Sequence, residues 1–141
     1  MPSGWNAMPY EPPWRIMVAG TGTDRFFDAS DSERQDVFFP RFARMLAEWE
    51  ELGARVVSSF CDDVFQVGEV DAPGGAWYLI YEVNELETAS QMMQASRQTV
   101  DGVRLDTWIR LNLRIGRPFF AREETTPHHL VDPESSAYGP T

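Results

Sequence analysis

The sequence predicts an α+β domain in which a four-stranded antiparallel sheet carries two helices on one face. Three observations carry this prediction. Apolar residues recur at helical spacing in two segments, residues 38–52 and 86–100. The final strand-like run alternates, with Ile109, Leu111, Leu113 and Ile115 set against Trp108, Arg110, Asn112 and Arg114. A turn-forming stretch at residues 71–75, Asp-Ala-Pro-Gly-Gly, joins two strand-like runs with no helix between them.

The elements follow in order. Residues 15–21 form a short apolar run suited to a buried strand, and Gly20 and Gly22 open a loop that continues through Asp28. Ser30 and Glu33 stand in capping-box spacing, which starts a helix near Asp31. Phe38, Phe42, Met45, Trp49 and Leu52 follow at steps of four, three, four and three, so they share one helical face. Pro40 lies inside this pattern without an N–H to continue the ladder, and a kink or fresh start is expected there. Gly53 ends the helix.

Residues 54–70 read as strand, opening with Arg55-Val56-Val57 and alternating again through residues 64–70. Cys61-Asp62-Asp63 interrupts them as a bulge or bend. Beyond the turn, residues 77–83 are an aromatic, β-branched strand that completes a hairpin. Asn84 is placed to cap a second helix, with Glu87 in the reciprocal position. Leu86, Ala89, Met93, Ser96 and Val100 give that helix its apolar stripe, and Gly102 ends it. The alternating run at residues 108–115 is the last strand.

The order is therefore βαββαβ. Two right-handed crossovers on one antiparallel sheet make the split βαβ, or ferredoxin-like, arrangement. Its helices cover one sheet face, so the other must be solvated or paired with a second subunit, and a homodimer is expected. Residues 1–13 are expected to be an extended N-terminal arm with Trp5 and Tyr10 as anchors, and residues 14–120 a single domain. Residues 121–141 form an acidic, Pro-containing tail that is loose, wraps a partner or closes over a pocket.

Composition narrows the function. A chain of 141 residues is one domain by length, and its 13% aromatic content calls for a packed interior. The 22 acids outnumber the 12 bases, giving a net charge of −10 with no basic run, which argues against nucleic-acid and anionic-membrane partners. Every base is Arg. Without Lys there is no Schiff base, covalent pyridoxal phosphate or P-loop lysine. The single cysteine, Cys61, excludes an intramolecular disulfide. No stretch is apolar enough to span a bilayer, and residues 1–14 lack the basic start and apolar core of a signal peptide, so a cytoplasmic location is expected.

The helix FFPRFARMLAEWEELG running into ARVVSSF, the hairpin through DAPGGAWYLIYEV and the final strand WIRLNLRIG resemble the dimeric α/β-barrel superfamily over residues 14–120. The likeness lies in element order and length. It implies face-to-face pairing of two sheets into a dimeric α/β barrel, with pockets between sheet and helices. The superfamily includes small cofactor-free monooxygenases of polyketide and antibiotic biosynthesis. It also includes lactone isomerases, haem-binding enzymes and ligand-binding or stress proteins, so the fold does not specify the chemistry.

Several residues are candidates for that chemistry. If the alternating leucines pack on the helices, Trp108, Arg110, Asn112 and Arg114 face the open side, which becomes the barrel interior in a dimer. Buried arginines need partners. Glu82, on the same strand face as Tyr78 and Ile80, is the candidate. Such a cluster would orient a carboxylate, phenolate or carbonyl substrate; read plainly, it is an interface salt-bridge network. Asp62 and Asp63 offer paired carboxylates for acid–base work, with Asp63 the candidate base, although neighbours in a strand point to opposite faces. The plain alternative is a solvated bulge.

His128 is the candidate proton shuttle if the tail closes; otherwise it lies on an exposed tail. His128 and His129 have no nearby Cys and no carboxylate placed to complete a ligand set, and no histidine falls in the expected core, so neither a metal nor a haem is expected. Cys61 reads as a small buried hydrophobe or, alternatively, a nucleophile. Gly20-Thr21-Gly22-Thr23 does not match a dinucleotide fingerprint. Phe42 and Trp77, with Phe38, Met45 and Trp49, read as core, or as the wall of a pocket for a flat apolar ligand. Tyr78 and Tyr81 offer hydroxyls for a developing oxyanion.

The expected protein is thus an enzyme without metal or organic cofactor, acting on an aromatic or polyketide-like small molecule. The reaction begins with proton abstraction and continues by oxygenation, as in a monooxygenase, or by isomerisation or cyclisation. Glu82, Asp63, His128 and Tyr78 are the catalytic candidates. Arg110, Asn112, Arg114, Trp108, Trp77 and Phe42 are the substrate contacts. The alternatives are a non-catalytic ligand-binding or stress-responsive homodimer, and an accessory subunit that binds another protein.

Overall fold

The computed structural model describes residues 10–69 and 76–118. Most of the N-terminal arm, the tip of the hairpin and the tail with His128 lie outside the described residues. Four strands form one antiparallel sheet: β1 (Trp14–Gly22), β2 (Arg55–Cys61), β3 (Trp77–Val83) and the C-terminal Ile109–Gly116, in the order β2, β3, β1, C-terminal strand. Helices pack on this sheet, and the arrangement is α+β and compatible with the ferredoxin-like fold.

Alternation in β1 separates the two sheet faces. Ile16 and Val18 are fully buried beneath the helices, while Met17 between them is exposed. A short helix, α1 (Asp24–Asp28), follows where the sequence reads as loop. Helix α2 then runs in three continuous stretches, Asp31–Glu33, Arg34–Phe38 and Phe39–Glu51. Its capping box is formed as expected: the Glu33 N–H donates to Ser30 Oγ at 3.1 Å and the Ser30 N–H donates to Glu33 Oε1 at 3.2 Å. The middle stretch is a π-helical turn closed by the Phe39 N–H on the Arg34 carbonyl. It stands directly before Pro40, so the missing donor is absorbed by a widened turn and the helix does not break. Phe38, Met45 and Trp49 are buried along one face. Leu52 lies past the last helical turn and is exposed. Gly53 stops the helix with φ of 102°, a conformation that favours glycine.

Strand β2 is shorter than expected. It ends at Cys61, opposite Trp77, and residues 64–69 form no strand. β2 is the sheet edge and β3 begins at Trp77, so among the described residues 64–69 have no ladder to join. The bulge also falls earlier, between Val56 and Ser58.

Helix α3 (Glu87–Arg97) starts without a cap from Asn84; Leu86 holds the cap position and makes no side-chain hydrogen bond there. Its buried face is Thr88, Ala89, Met92, Ala95 and Ser96, so Leu86 and Met93 fall beside the stripe. The Trp49 indole N–H donates to the Met92 carbonyl at 2.9 Å and ties α2 to α3. The Arg41 guanidinium is buried between these helices, and its Nη2 donates to the Ala95 carbonyl at 3.0 Å. Beyond α3, β4 (Thr99–Val100) and β5 (Val103–Arg104) form a small hairpin. Asp101 (φ 53°) and Gly102 (φ 78°) make its two-residue turn, so Gly102 turns a hairpin rather than ending the helix.

The C-terminal strand, β6 (Ile109–Gly116), alternates in burial with Ile109 innermost and Leu111 and Leu113 half-buried. Arg110, Asn112 and Arg114 are exposed on the opposite face, across from Thr21, Ala19 and Met17 of β1. Trp108 corrects the expectation. It follows the 3-10 turn Leu105–Thr107, stands outside the strand and is 2% exposed, with its ring 5.5 Å from Phe38. The turn resets the alternation, so Trp108 belongs to the core and not to the face of Arg110. Among the described residues no helix is long and apolar enough to cross a membrane.

Candidate functional site

A cleft of about 460 Å³ opens between the helix side of the sheet and helices α1 and α2. Phe26 and Phe27 of α1 and Phe38, Phe39, Phe42 and Leu46 of α2 form one wall. Ser59 and Cys61 of β2, Trp77 and Leu79 of β3, and Ile109 form the other. The rings interlock: Phe26 meets Phe38 edge-on at 5.1 Å, Phe38 stacks on Phe42 at 5.5 Å, and Phe42 meets Trp77 edge-on at 5.3 Å.

Two glycines make this possible. The Trp77 indole lies over Gly20, and a Cβ there would overlap Cζ2, Cε2 and Cη2 of that ring. A Cβ at Gly22 would stand 2.9 Å from Phe26 Cδ1 and 3.0 Å from Phe27 Cε2. Gly20 and Gly22 therefore let aromatic rings lie against the β1 backbone.

Helix α1 is held in place from both ends. Thr23 Oγ1 donates to the Thr107 carbonyl at 2.7 Å, and Arg34 Nη1 donates to the Phe26 carbonyl at 2.8 Å. The Arg25 guanidinium lies 4.3 Å from the Trp108 ring centroid, so Trp108 buttresses this end of the cleft from the core. Sequence reasoning missed α1 and its two phenylalanines. The signal was present as Phe26-Phe27, an apolar pair inside an otherwise polar loop.

The predicted residues divide between the two sheet faces. Phe42 and Trp77 line the cleft. Tyr78 and Phe60 pair in register on the opposite face and reach the cleft only at its edge, with their rings stacked at 4.7 Å. The Tyr78 hydroxyl donates to Asp62 Oδ2 at 3.0 Å, and the Ala76 N–H donates to Asp62 Oδ1 at 2.8 Å. That hydrogen bond, with partial burial behind it, raises the Tyr78 hydroxyl above the usual tyrosine value of 10.0. Its proton is committed to Asp62. Asp63, the candidate base, is exposed and outside the cleft; its neighbour Asp62 is the carboxylate that engages Tyr78.

Glu82 lies away from the cleft and is not the partner of Arg110 or Arg114. It accepts from Nε and Nη2 of Arg15, both at 3.1 Å. Register explains this: Glu82 faces Arg15 directly, whereas Arg110 and Arg114 sit one strand further on. Arg110, Asn112 and Arg114 therefore share the open face with Arg15, Met17, Tyr78, Ile80 and Glu82, on the far side of the sheet from the cleft. Tyr81 lies on the helix side, edge-on to Trp49 at 5.6 Å, and burial raises its hydroxyl. Cys61 is exposed at the cleft edge, not buried as its type suggests.

No charged side chain lines the cleft among the described residues; its polar side chains are Ser59, Cys61 and Tyr78. Among the described residues no three His, Cys, Asp or Glu side chains come together as metal ligands. The chain matches no protein-family model and no curated protein.

Proposed function

We propose that the protein binds an aromatic or polyketide-like small molecule in the cleft between the sheet and helices α1 and α2. The observation that carries this reading is the interlocked ring wall of Phe26, Phe38, Phe42 and Trp77 around about 460 Å³ of space. That volume falls within the range of small-molecule sites. The strand order also supports the likeness to the dimeric α/β-barrel superfamily, whose pockets lie in the same place. The open sheet face, with Met17 and Ile80 between the arginines of β6 and the Arg15–Glu82 pair, is the surface through which two copies pair.

A catalytic version of this reading rests on one further observation, the Asp62 carboxylate hydrogen-bonded to Tyr78, whose side chain reaches the cleft edge. A ligand hydroxyl or acidic C–H brought to that edge meets the Tyr78 phenol, with the Asp62 carboxylate one hydrogen bond behind it as the base. Proton abstraction there begins a cofactor-independent oxygenation, isomerisation or cyclisation. The binding reading is favoured, because the cleft wall itself carries no ionised group among the described residues.

Tryptophan quenching by a set of two- and three-ring aromatics tests the site. Binding that is lost in Leu79→Trp, which fills the cleft, supports it. Binding that survives unchanged in Leu79→Trp removes the cleft from the argument. Turnover of a bound ligand that stops in Asp62→Asn selects the catalytic version.

A further inference from the structure

We infer that the cleft is selective for charge and shape: its ligand is an uncharged, planar, fused-ring aromatic that carries a neutral hydrogen-bonding group at one end. This inference rests on the cleft being the ligand site. It adds three observations about the wall.

The first is electrostatic. The cleft is framed by phenylalanines, Trp77, leucine and isoleucine, and no Arg, His, Asp or Glu lines it among the described residues. A carboxylate or ammonium entering this wall gives up water and gains no counter-charge. The arginines that would receive a carboxylate, Arg110 and Arg114, are on the other sheet face. The protein as a whole carries −10, which further disfavours an approaching anion.

The second is the shape of the floor. Gly20 lets the Trp77 indole settle on the β1 backbone, where any Cβ would collide with it. The result is a flat aromatic platform, with Phe42 standing edge-on beside it at 5.3 Å. A planar ring system stacks on such a platform, and a puckered saturated ring meets it with only part of its surface.

The third is the position of the polar groups. Ser59 and Cys61 stand two apart on β2, so both face the cleft from the same edge strand. β2 is exposed along its whole length, which makes this edge the mouth. The ligand therefore enters rings first, with its hydroxyl or carbonyl left beside Ser59 Oγ and the Cys61 thiol. Gly20, Trp77 and Ser59 are the specificity-determining positions.

Four matched probes test this with the full chain: 2-naphthol, 2-naphthoate, 2-naphthylmethylammonium and decahydro-2-naphthol, titrated at pH 7 against tryptophan fluorescence. The expected result is that 2-naphthol binds at least about ten-fold more tightly than each of the other three. Gly20→Ala, which lifts Trp77, is expected to weaken 2-naphthol by about ten-fold or more. Ser59→Arg, at an exposed position on the edge strand, is expected to reverse the order and favour 2-naphthoate, with an unchanged far-UV circular dichroism spectrum as the check on its fold. Equal binding of naphthol and naphthoate, still abolished by Leu79→Trp, overturns the charge selectivity while the cleft survives as the ligand site. Equal binding of naphthol and its decahydro analogue overturns the planar floor in the same way. Failure of all four probes to bind overturns both this inference and the reading beneath it.

Discussion

The Tyr78 hydroxyl donates to the Asp62 carboxylate at 3.0 Å, across the loop end of the β2–β3 hairpin. Asp62 also takes the Ala76 N–H at 2.8 Å, and its own N–H donates to the Ala76 carbonyl at 3.0 Å. One side chain therefore closes the hairpin end and holds the phenol in its neutral form.

The alkaline titration follows from this pair. The neutral phenol is favoured in the folded state, so its contribution to stability is complete below pH 10.0 and is lost as pH rises through the raised folded value. Absorbance at 295 nm is expected to show Tyr78 ionising above pH 10.0 in the native protein. Asp62→Asn removes the charge and should bring that transition down. An unchanged transition in Asp62→Asn would mean that the hydrogen bond has no role in holding the proton.

The capping box at Ser30 makes a second prediction, at the acid end. The Ser30 backbone N–H and hydroxyl, with Arg25 nearby, hold the Glu33 carboxyl below its usual 4.5. Stability from this group is present above pH 4.5 and is lost as pH falls through the lowered folded value. Ser30→Ala should cost about 1 kcal/mol at pH 7. It should also flatten the loss on acidification, as read from urea midpoints at pH 7 and pH 3.

The link between the long helices is a third. Trp49 is fully buried and its indole N–H reaches the Met92 carbonyl at 2.9 Å. Trp49→Phe keeps most of the apolar contact and deletes the donor, so a loss of about 1–3 kcal/mol in chemical denaturation is expected. A loss below a few tenths would show that the bond is replaceable by water.

The hairpin turn gives a fourth. Gly102 has φ of 78°, which an L side chain rarely adopts. Gly102→Ala should destabilise by about 1 kcal/mol, whereas Gly116→Ala, with no atom near its added Cβ, should be close to neutral.

The open sheet face gives the last. If two copies pair through it, sedimentation equilibrium will return twice the 16.1 kDa chain mass at micromolar concentration. Arg110→Glu with Arg114→Glu should shift the mass toward a single chain. A single-chain mass for the unmodified protein would remove the pairing from the proposal.

The places where the structure departs from the sequence reading have particular causes. Residues 64–70 alternate like a strand in sequence, yet among the described residues the ladder of the edge strand ends at Cys61. Trp108 sits one residue before an alternating run, and the 3-10 turn ahead of it reverses its direction. Asn84 and Glu87 have cap spacing, but the chain enters α3 through Leu86 instead. The Asp101-Gly102 turn was readable as a hairpin signal between two valines. Phe26-Phe27 marked aromatic cleft surface within a stretch that reads as loop.

Local pattern was enough for the capping box, the face shared by Phe38, Met45 and Trp49, and the alternation of β6, because each depends on residues within a few positions of one another. The cleft did not follow from pattern. Phe42 meets Trp77, Gly20 accommodates the Trp77 ring, and Glu82 takes Arg15 over Arg110 only once strand order and register bring distant segments together. A one-residue shift in register would exchange the two sheet faces and carry the arginines to the cleft. The chemistry of the site therefore belongs to packing across the layers, which the whole sheet sets at once.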